Sequence, residues 1–147
     1  MTRLAVTGRL LVAAQFALIA WLIWPFTPQV WSSPALVLVA CSIALGVWTL
    51  AHNRLGNFNI RPEPKTSGRL VTSGPYRFVR HPMYSALLFF AASEVIAYGD
   101  AWKVAGWCAL ALVLFAKAML EERGLREQFA GYAEYAQRVR RFIPGLF

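Results

Sequence analysis

The stretch SGPYRFVRHPMYSALLFF, residues 73–90, joins two arginines and a histidine directly to an apolar run. Pro82 stands at the start of that run. A proline ring clashes with the residue before it and keeps that residue out of the α region. Proline also suits the first position of a helix, where its missing N–H costs nothing. His81 is therefore expected to hold a fixed turn at the head of a helix that begins at a membrane surface.

The apolar character of this stretch extends over the whole chain. The 147 residues are 58% apolar, and the mean hydropathy of +0.46 is high for a soluble protein. A membrane-crossing helix needs about 17 to 25 apolar residues. The sequence therefore predicts an all-α fold, a single integral membrane domain over 1–147 built as a bundle of four transmembrane helices. The four predicted spans are 10–26, 35–51, 83–98 and 104–120.

The basic residues lie almost entirely at one side of these spans. Of the 15 lysines and arginines, only Lys103 falls on the opposite side. Because basic residues are retained on the cytoplasmic side, we expect a multi-pass protein of a bacterial inner membrane with both termini in the cytoplasm. A net charge of +8 is also compatible with nucleic-acid binding, but the sidedness already explains it, so no nucleic-acid partner is expected. The basic rim would attract anionic membrane lipids.

The connections between the spans indicate where the candidate functional residues come together. The linker YGDAW, residues 98–102, is so short that the third and fourth spans must form an antiparallel hairpin. The cytoplasmic material falls into two pieces, a Pro- and Gly-containing loop over 52–82 and a helical continuation of the fourth span over 121–147. Cys41 and Cys108 lie inside spans without metal-ligand spacing, so no metal site is expected. Any reaction should occur where the two pieces meet.

The first piece carries a candidate anion site. Free N–H groups at the helix start, helped by Arg80 and His81, would bind a carboxylate or a phosphate. On spacing alone, an equally good interpretation is that Arg77 and Arg80 only anchor the loop to lipid headgroups.

The second piece carries a cation and two carboxylates. Lys117 and Glu121 are one helical turn apart on the same face, and Glu122 is the next residue. These three residues could simply form a solvated helix end with one ion pair. Neither cluster by itself identifies a reaction.

The two motifs taken together resemble a known family. The region from roughly Leu70 to Pro144 resembles the isoprenylcysteine carboxyl methyltransferase family and its phospholipid methyltransferase and NnrU-like relatives. The resemblance lies in the motif GPYRFVRHPMY, the hairpin of two spans after it, and the motif EERGLREQFAGYAEYAQRVRRFIP after the hairpin. The resemblance implies an integral membrane enzyme that transfers a methyl group from S-adenosylmethionine to a lipophilic or prenylated acceptor, most directly an isoprenylcysteine-like carboxylate. The alternatives are a phospholipid or amine N-methyltransferase, and a non-catalytic membrane scaffold of the same fold.

The resemblance also implies a site in which the cytoplasmic loop and the C-terminal helix form the cofactor pocket. Lys117 stands where the family has an arginine that faces the substrate, although lysine lacks the bidentate fork of arginine. Lys117 and Glu122 are the candidate catalytic residues. The residues expected to line the cofactor are Leu70, Val71, Tyr76, His81, Pro82, Met83, Tyr84 and Glu121.

These residue types suit the cofactor and the reaction. His81 can bind the carboxylate of S-adenosylmethionine, Glu121 its ammonium, and a tyrosine ring its sulfonium. A carboxylate acceptor needs no base because it is already ionised at neutral pH. An amine acceptor must lose a proton, for which Glu122 or Glu121 is the candidate base. Glu94, inside the third span, is expected to have a structural role.

Overall fold

The computed structural model describes residues 3–25, 32–53 and 69–146. All regular secondary structure in these ranges is helical, and the ranges contain no strand. Five α-helices and one short 3₁₀ helix follow one another along the chain. They are α1 (Arg3–Ile23), α2 (Ser33–Asn53), the 3₁₀ helix (Gly74–Arg77), α3 (Pro82–Tyr98), α4 (Ala101–Gln128) and α5 (Tyr132–Arg138).

The all-α membrane bundle predicted from the sequence is confirmed. Within the described residues, three helices are long and apolar enough to cross a membrane, with candidate spans Val6–Ile23, Ser33–Asn53 and Ala101–Gln128. Helix α3 is apolar but shorter, at 17 residues. The four predicted spans thus correspond to α1–α4. That α3 also crosses the membrane stays a prediction. The end of the first predicted span, residue 26, lies outside the described residues.

The outer faces of these helices are apolar, as lipid requires. Leu10 is 65% exposed, Val37 60% and Leu112 70%. Water would oppose so much exposed aliphatic surface, whereas the hydrocarbon core of a bilayer accepts it.

Helix α3 packs between α2 and α4, and α1 packs mainly against α4. A small apolar core of Leu22, Ala91, Leu110 and Leu114 joins α1, α3 and α4. At Gly106 the helices α1 and α4 come close, because an added Cβ would lie 3.0 Å from a methyl carbon of Leu22.

The predicted hairpin between α3 and α4 is present. Gly99 ends α3 in the left-handed region with φ 63°, which glycine adopts without steric cost. Asp100 then caps α4 by accepting a hydrogen bond of 2.9 Å from the Trp102 N–H. The two local signals in the linker therefore account for the antiparallel arrangement.

The C-terminal piece differs from the single helix expected. Helix α4 continues to Gln128, the chain turns through 129–131, and α5 ends at Arg138. The tail then returns to the head of α3, where the Arg80 N–H donates to the Arg140 carbonyl at 2.7 Å. Gly131 favours the break because glycine is a poor helix former. Residues 54–68 of the predicted loop 52–82 lie outside the described residues.

Candidate functional site

Glu122 is the centre of a buried charge network. Its carboxylate oxygens lie 3.0 Å from Arg80 Nη2 and accept hydrogen bonds from Arg141 Nε at 3.0 Å and Arg141 Nη2 at 3.1 Å. His81 Nε2 is 3.2 Å from the same carboxylate. A buried charge is tolerated when it is paired and hydrogen-bonded in this way. Glu122 thereby ties α4 to the head of α3 and to the C-terminal tail.

Arg80 faces inward rather than towards lipid or a bound anion. Its side chain is 7% exposed, and Nη1 donates to the carbonyls of Ala136 and Val139. Both sequence-based interpretations of Arg80, as an anion ligand and as a headgroup anchor, are therefore wrong. Its guanidinium group is paired with Glu122 and hydrogen-bonded to carbonyls at the end of α5. Arg77 is exposed, and its proposed contact with lipid headgroups stays a prediction.

His81 lies between the two adjacent carboxylates of α4. Its Nδ1 atom is 3.5 Å from Glu121 Oε2, and its Nε2 atom is 3.2 Å from Glu122 Oε1. Tyr84, one turn into α3, stacks on the His81 ring with a centroid separation of 5.3 Å and donates its hydroxyl to Glu121 Oε2 at 3.2 Å. Three residues assigned to the cofactor side are thus brought together: His81, Tyr84 and Glu121.

The carboxylates determine the ionisation of the neighbouring groups. Burial lowers the pKa of His81, but hydrogen bonds to Glu121 and Glu122, together with their negative charges, outweigh burial and raise the pKa above its ordinary value. Burial, the charge of Glu121 and the nearby Tyr135 raise the pKa of Tyr76. Both shifts favour the protonated forms, the imidazolium of His81 and the neutral phenol of Tyr76.

Glu121 and Glu122 differ in accessibility although they are neighbours in sequence. The Glu121 side chain is 31% exposed, whereas that of Glu122 is 3% exposed. Glu121 can therefore bind a ligand, and Glu122 is already saturated by protein donors. This distinction could not be read from the pair EE.

The segment before α3 contributes backbone groups. Leu70 and Val71 are half-buried in a stretch without regular secondary structure. Gly74 follows with φ 60°, and an added Cβ would lie 2.6 Å from the His52 ring. Tyr76 is held through its carbonyl, which accepts a 2.6 Å hydrogen bond from Tyr135.

The first turn of α3 contains the remaining residues that the sequence assigned to the cofactor. Pro82 is buried and Met83 half-buried, directly after His81 and before Tyr84. These residues fix the direction in which the histidine and tyrosine rings leave the helix. All eight residues assigned to the cofactor belong to the 70–84 segment or to the facing part of α4.

Lys117 lies one helical turn before Glu121 on α4, and its side chain is buried within the bundle. It is 1% exposed, and Nζ donates to the side-chain oxygen of Gln15 on α1. The ammonium is 5.3 Å from the centroid of the Tyr84 ring. Instead of an ion pair with Glu121, Lys117 therefore has a hydrogen-bond partner on another helix and an aromatic neighbour.

Sequence reasoning missed three residues of this region. Arg141 contacts Glu122, Gln15 contacts Lys117, and Tyr132 has a buried hydroxyl without a hydrogen-bond partner. A single glutamine inside an apolar span is itself a signal, since polar groups at membrane depth are costly. Arg141 and Tyr132 carry no comparable local signal.

Glu94 is remote from this site, in the C-terminal part of α3. It is fully buried, its oxygens accept no hydrogen bond, and Oε2 lies 4.0 Å from Lys103 Nζ. Lys103 also donates to the Trp24 carbonyl at 2.9 Å. The contacts of Glu94 are those of a structural residue: it pairs with Lys103 within the hairpin, and Lys103 also ties the hairpin to the end of α1.

The half-exposed side of the cluster is suited to a cation that carries polar groups. It presents the part-exposed Glu121 carboxylate and the Tyr84 ring, with Tyr76 within electrostatic reach of Glu121. Carboxylates and aromatic faces attract cations. The buried, unpartnered hydroxyl of Tyr132 is a further polar group in this part of the chain.

Comparison with known proteins gives both a family and individual relatives. The family described as phospholipid methyltransferase matches residues 30–131. A probable protein-S-isoprenylcysteine O-methyltransferase of rice, Oryza sativa subsp. indica, is 28% identical over 152 aligned positions, covering 97% of this chain and 80% of the rice protein. Protein-S-isoprenylcysteine O-methyltransferase B of Arabidopsis thaliana is 32% identical over 78, covering 52% of this chain and 40% of that protein.

A bacterial relative has a different name. The cobalt-zinc-cadmium resistance protein CzcN of Cupriavidus metallidurans is 37% identical over 84 residues, which is 56% of this chain and 38% of that protein. The chain thus spans about two fifths of the Cupriavidus and Arabidopsis proteins and most of the rice protein.

Proposed function

This chain belongs to the phospholipid methyltransferase family, and we propose that it moves a methyl group from S-adenosylmethionine to a lipophilic acceptor, in the first place an isoprenylcysteine-like carboxylate. Membership of a membrane methyltransferase family, predicted from the sequence, is confirmed by the family match and the named relatives. The named rice and Arabidopsis relatives support the carboxylate acceptor.

His81, Glu121 and Tyr84 form the proposed donor site. S-adenosylmethionine, when bound, supplies a methyl group on a sulfonium. Both ring nitrogens of His81 already face Glu121 and Glu122, so His81 would hold Glu121 in place rather than bind the carboxylate of the donor. The exposed edge of Glu121 would be available to an ammonium, and the Tyr84 or Tyr76 ring to the cationic sulfur. Leu70 and Val71 would contribute peptide groups, and Pro82 and Met83 apolar contacts.

Lys117 is proposed to serve the acceptor. Its ammonium lies beside the Tyr84 ring, on the α1 side of the donor residues. There it would orient an anionic group next to the transferable methyl. A carboxylate needs no base, so the protein contributes alignment of the reactants and exclusion of water.

An amine acceptor would require a base, and Glu121 is then the better candidate. Glu122 is saturated by two arginines and His81, whereas Glu121 is part-exposed. N-methylation of a phospholipid or other amine is the second candidate function, and the phospholipid methyltransferase match supports it. Glu122, assigned to catalysis from the sequence, is proposed instead to anchor the site.

The observation that carries the enzyme proposal is the pairing of His81 with a part-exposed Glu121 beside Tyr84. A scaffold without catalysis would not need a cation-binding carboxylate left open. Titration calorimetry of the purified protein with S-adenosylhomocysteine tests this, and absence of binding would leave the scaffold interpretation. Methyl-labelled donor incubated with S-farnesylcysteine and, separately, with phosphatidylethanolamine then distinguishes the two acceptors.

Both termini and the loop before α3 are proposed to be cytoplasmic, where the water-soluble donor is available. The sidedness of the basic residues supports this orientation. Placement in a bacterial inner membrane is part of the same proposal.

A further inference from the structure

Gln15 and Lys117 form an isolated polar pair in the bundle, 102 positions apart in sequence. Gln15 is 7% exposed and Lys117 1% exposed. Gln15 lies outside the residues 30–131 that match the family. Its neighbours along α1 are apolar, so Gln15 is the polar group that this part of α1 offers to Lys117.

The lysine is incompletely satisfied. An ammonium has three N–H donors, and among the described residues Gln15 supplies the one oxygen that Nζ contacts. The Tyr84 ring provides a second, weaker contact at 5.3 Å. A buried charge with unpaired donors is costly, and an incoming anion would remove that cost.

The pair also lies next to the proposed donor residues. The Tyr84 ring that faces Lys117 stacks on His81, and its hydroxyl contacts Glu121. An anionic group bound at Lys117 would therefore lie beside the same aromatic ring that contacts the proposed donor residues.

We propose that Gln15 is a positioning residue: it holds the Lys117 ammonium beside Tyr84 so that the unpaired donors receive the anionic group of the acceptor. This inference rests on the proposed function and adds α1 to the acceptor side. It commits the acceptor to an anion, such as a carboxylate, because the single amide oxygen of Gln15 leaves further N–H donors of the ammonium open to an acceptor.

The rival explanation is that Gln15 only fastens α1 to α4. Gln15→Glu separates the two explanations. A glutamate would keep or strengthen the contact with Lys117, but it would neutralise the charge that the acceptor needs. Gln15→Met removes the contact at similar size, and Ser42→Ala is the matched control because the Ser42 hydroxyl makes a 2.7 Å hydrogen bond between α2 and α3 to the Ala86 carbonyl.

The experiment measures equilibrium binding of N-acetyl-S-farnesylcysteine and of its methyl ester to the four purified proteins in detergent. Wild type and Ser42→Ala should prefer the carboxylate to the ester. Gln15→Met should weaken carboxylate binding by about tenfold, the loss of one oriented charge-assisted hydrogen bond, and leave ester binding unchanged. Gln15→Glu should abolish the preference while its melting temperature stays at or above that of wild type.

The affinity for S-adenosylhomocysteine and the preference for the carboxylate over the ester distinguish failure of the proposed function from failure of the positioning role. S-adenosylhomocysteine affinity should be equal in all four proteins, and its absence in wild type would overturn the proposed function without touching the carboxylate preference. If Gln15→Glu keeps the preference, or if wild type has none, the positioning role is overturned. Should Gln15→Met fail to fold, Gln15→Glu still decides, because it retains a partner for Lys117.

Discussion

Arg80 Nη2 and Glu122 Oε1 lie 3.0 Å apart, and both side chains are buried. This contact joins the residue before the His-Pro pair to α4, the second helix of the hairpin, and Arg141 joins the C-terminal tail to the same carboxylate. Glu122 therefore holds together three chain segments that carry the candidate site.

Glu122→Gln should destabilise the protein strongly. Removing one partner from a buried ion pair costs about 3–5 kcal/mol, because the remaining charges are left uncompensated. Denaturant unfolding in micelles measures the change. Glu134→Gln is the control, since the Glu134–Arg138 pair is exposed and its loss should leave the unfolding midpoint unchanged. Equal midpoints for the two variants would contradict the central role of Glu122.

The donor site should respond to Glu121 and His81. Glu121→Gln and His81→Ala should each weaken S-adenosylhomocysteine binding by about 1.5–3 kcal/mol, the usual value of a hydrogen bond to a charged group. Glu94→Gln, at the other end of α3, should bind like wild type. Calorimetry on purified variants measures this, and a larger loss in Glu94→Gln would place the donor elsewhere.

Lys117 should affect turnover more than donor affinity. Lys117→Met should lower methyl transfer by at least about tenfold and leave S-adenosylhomocysteine affinity within about twofold, because the lost contact concerns the acceptor. Lys117→Arg should retain activity with a carboxylate acceptor, which can use the guanidinium fork. Full activity in Lys117→Met, at matched protein level, would show that the lysine only links helices.

The stability contribution of His81 should depend on pH. The pKa of His81 is raised in the folded protein, so its contribution is fully present below the unfolded value of about 6.5 and is lost as pH rises through the folded pKa. The difference in unfolding free energy between wild type and His81→Gln should therefore decrease with increasing pH. Unfolding titrations between mildly acidic and mildly basic pH measure it, and a difference that grows with pH would contradict the charged imidazole.

The orientation of the bundle can be tested directly. Reporter fusions after Gln29, Arg61, Gly99 and Phe147 should report outside, inside, outside and inside, because the basic residues flank the spans on one side. An outside signal at Arg61 would separate the loop before α3 from the cytoplasmic donor and overturn the proposed site.

The sequence alone determined the features that depend on neighbouring residues. Apolar runs of membrane-crossing length predicted the helices, the short linker 98–102 predicted the hairpin, and Pro82 predicted the start of α3, which the structure places at that residue. The motifs at either end of the hairpin also indicated the family. Each of these signals lies within one turn, one linker or one helix, so chain connectivity is enough to interpret it.

Only the tertiary structure decided which charges are used internally and which stay available. Arg80 and Glu122 are 42 positions apart, and Gln15 and Lys117 are 102 apart. No local period encodes such contacts, because they arise from how α1, α4 and the tail pack around α3. Burial against those partners saturates Glu122 and leaves Glu121 open, although the two adjacent glutamates are chemically identical in the sequence.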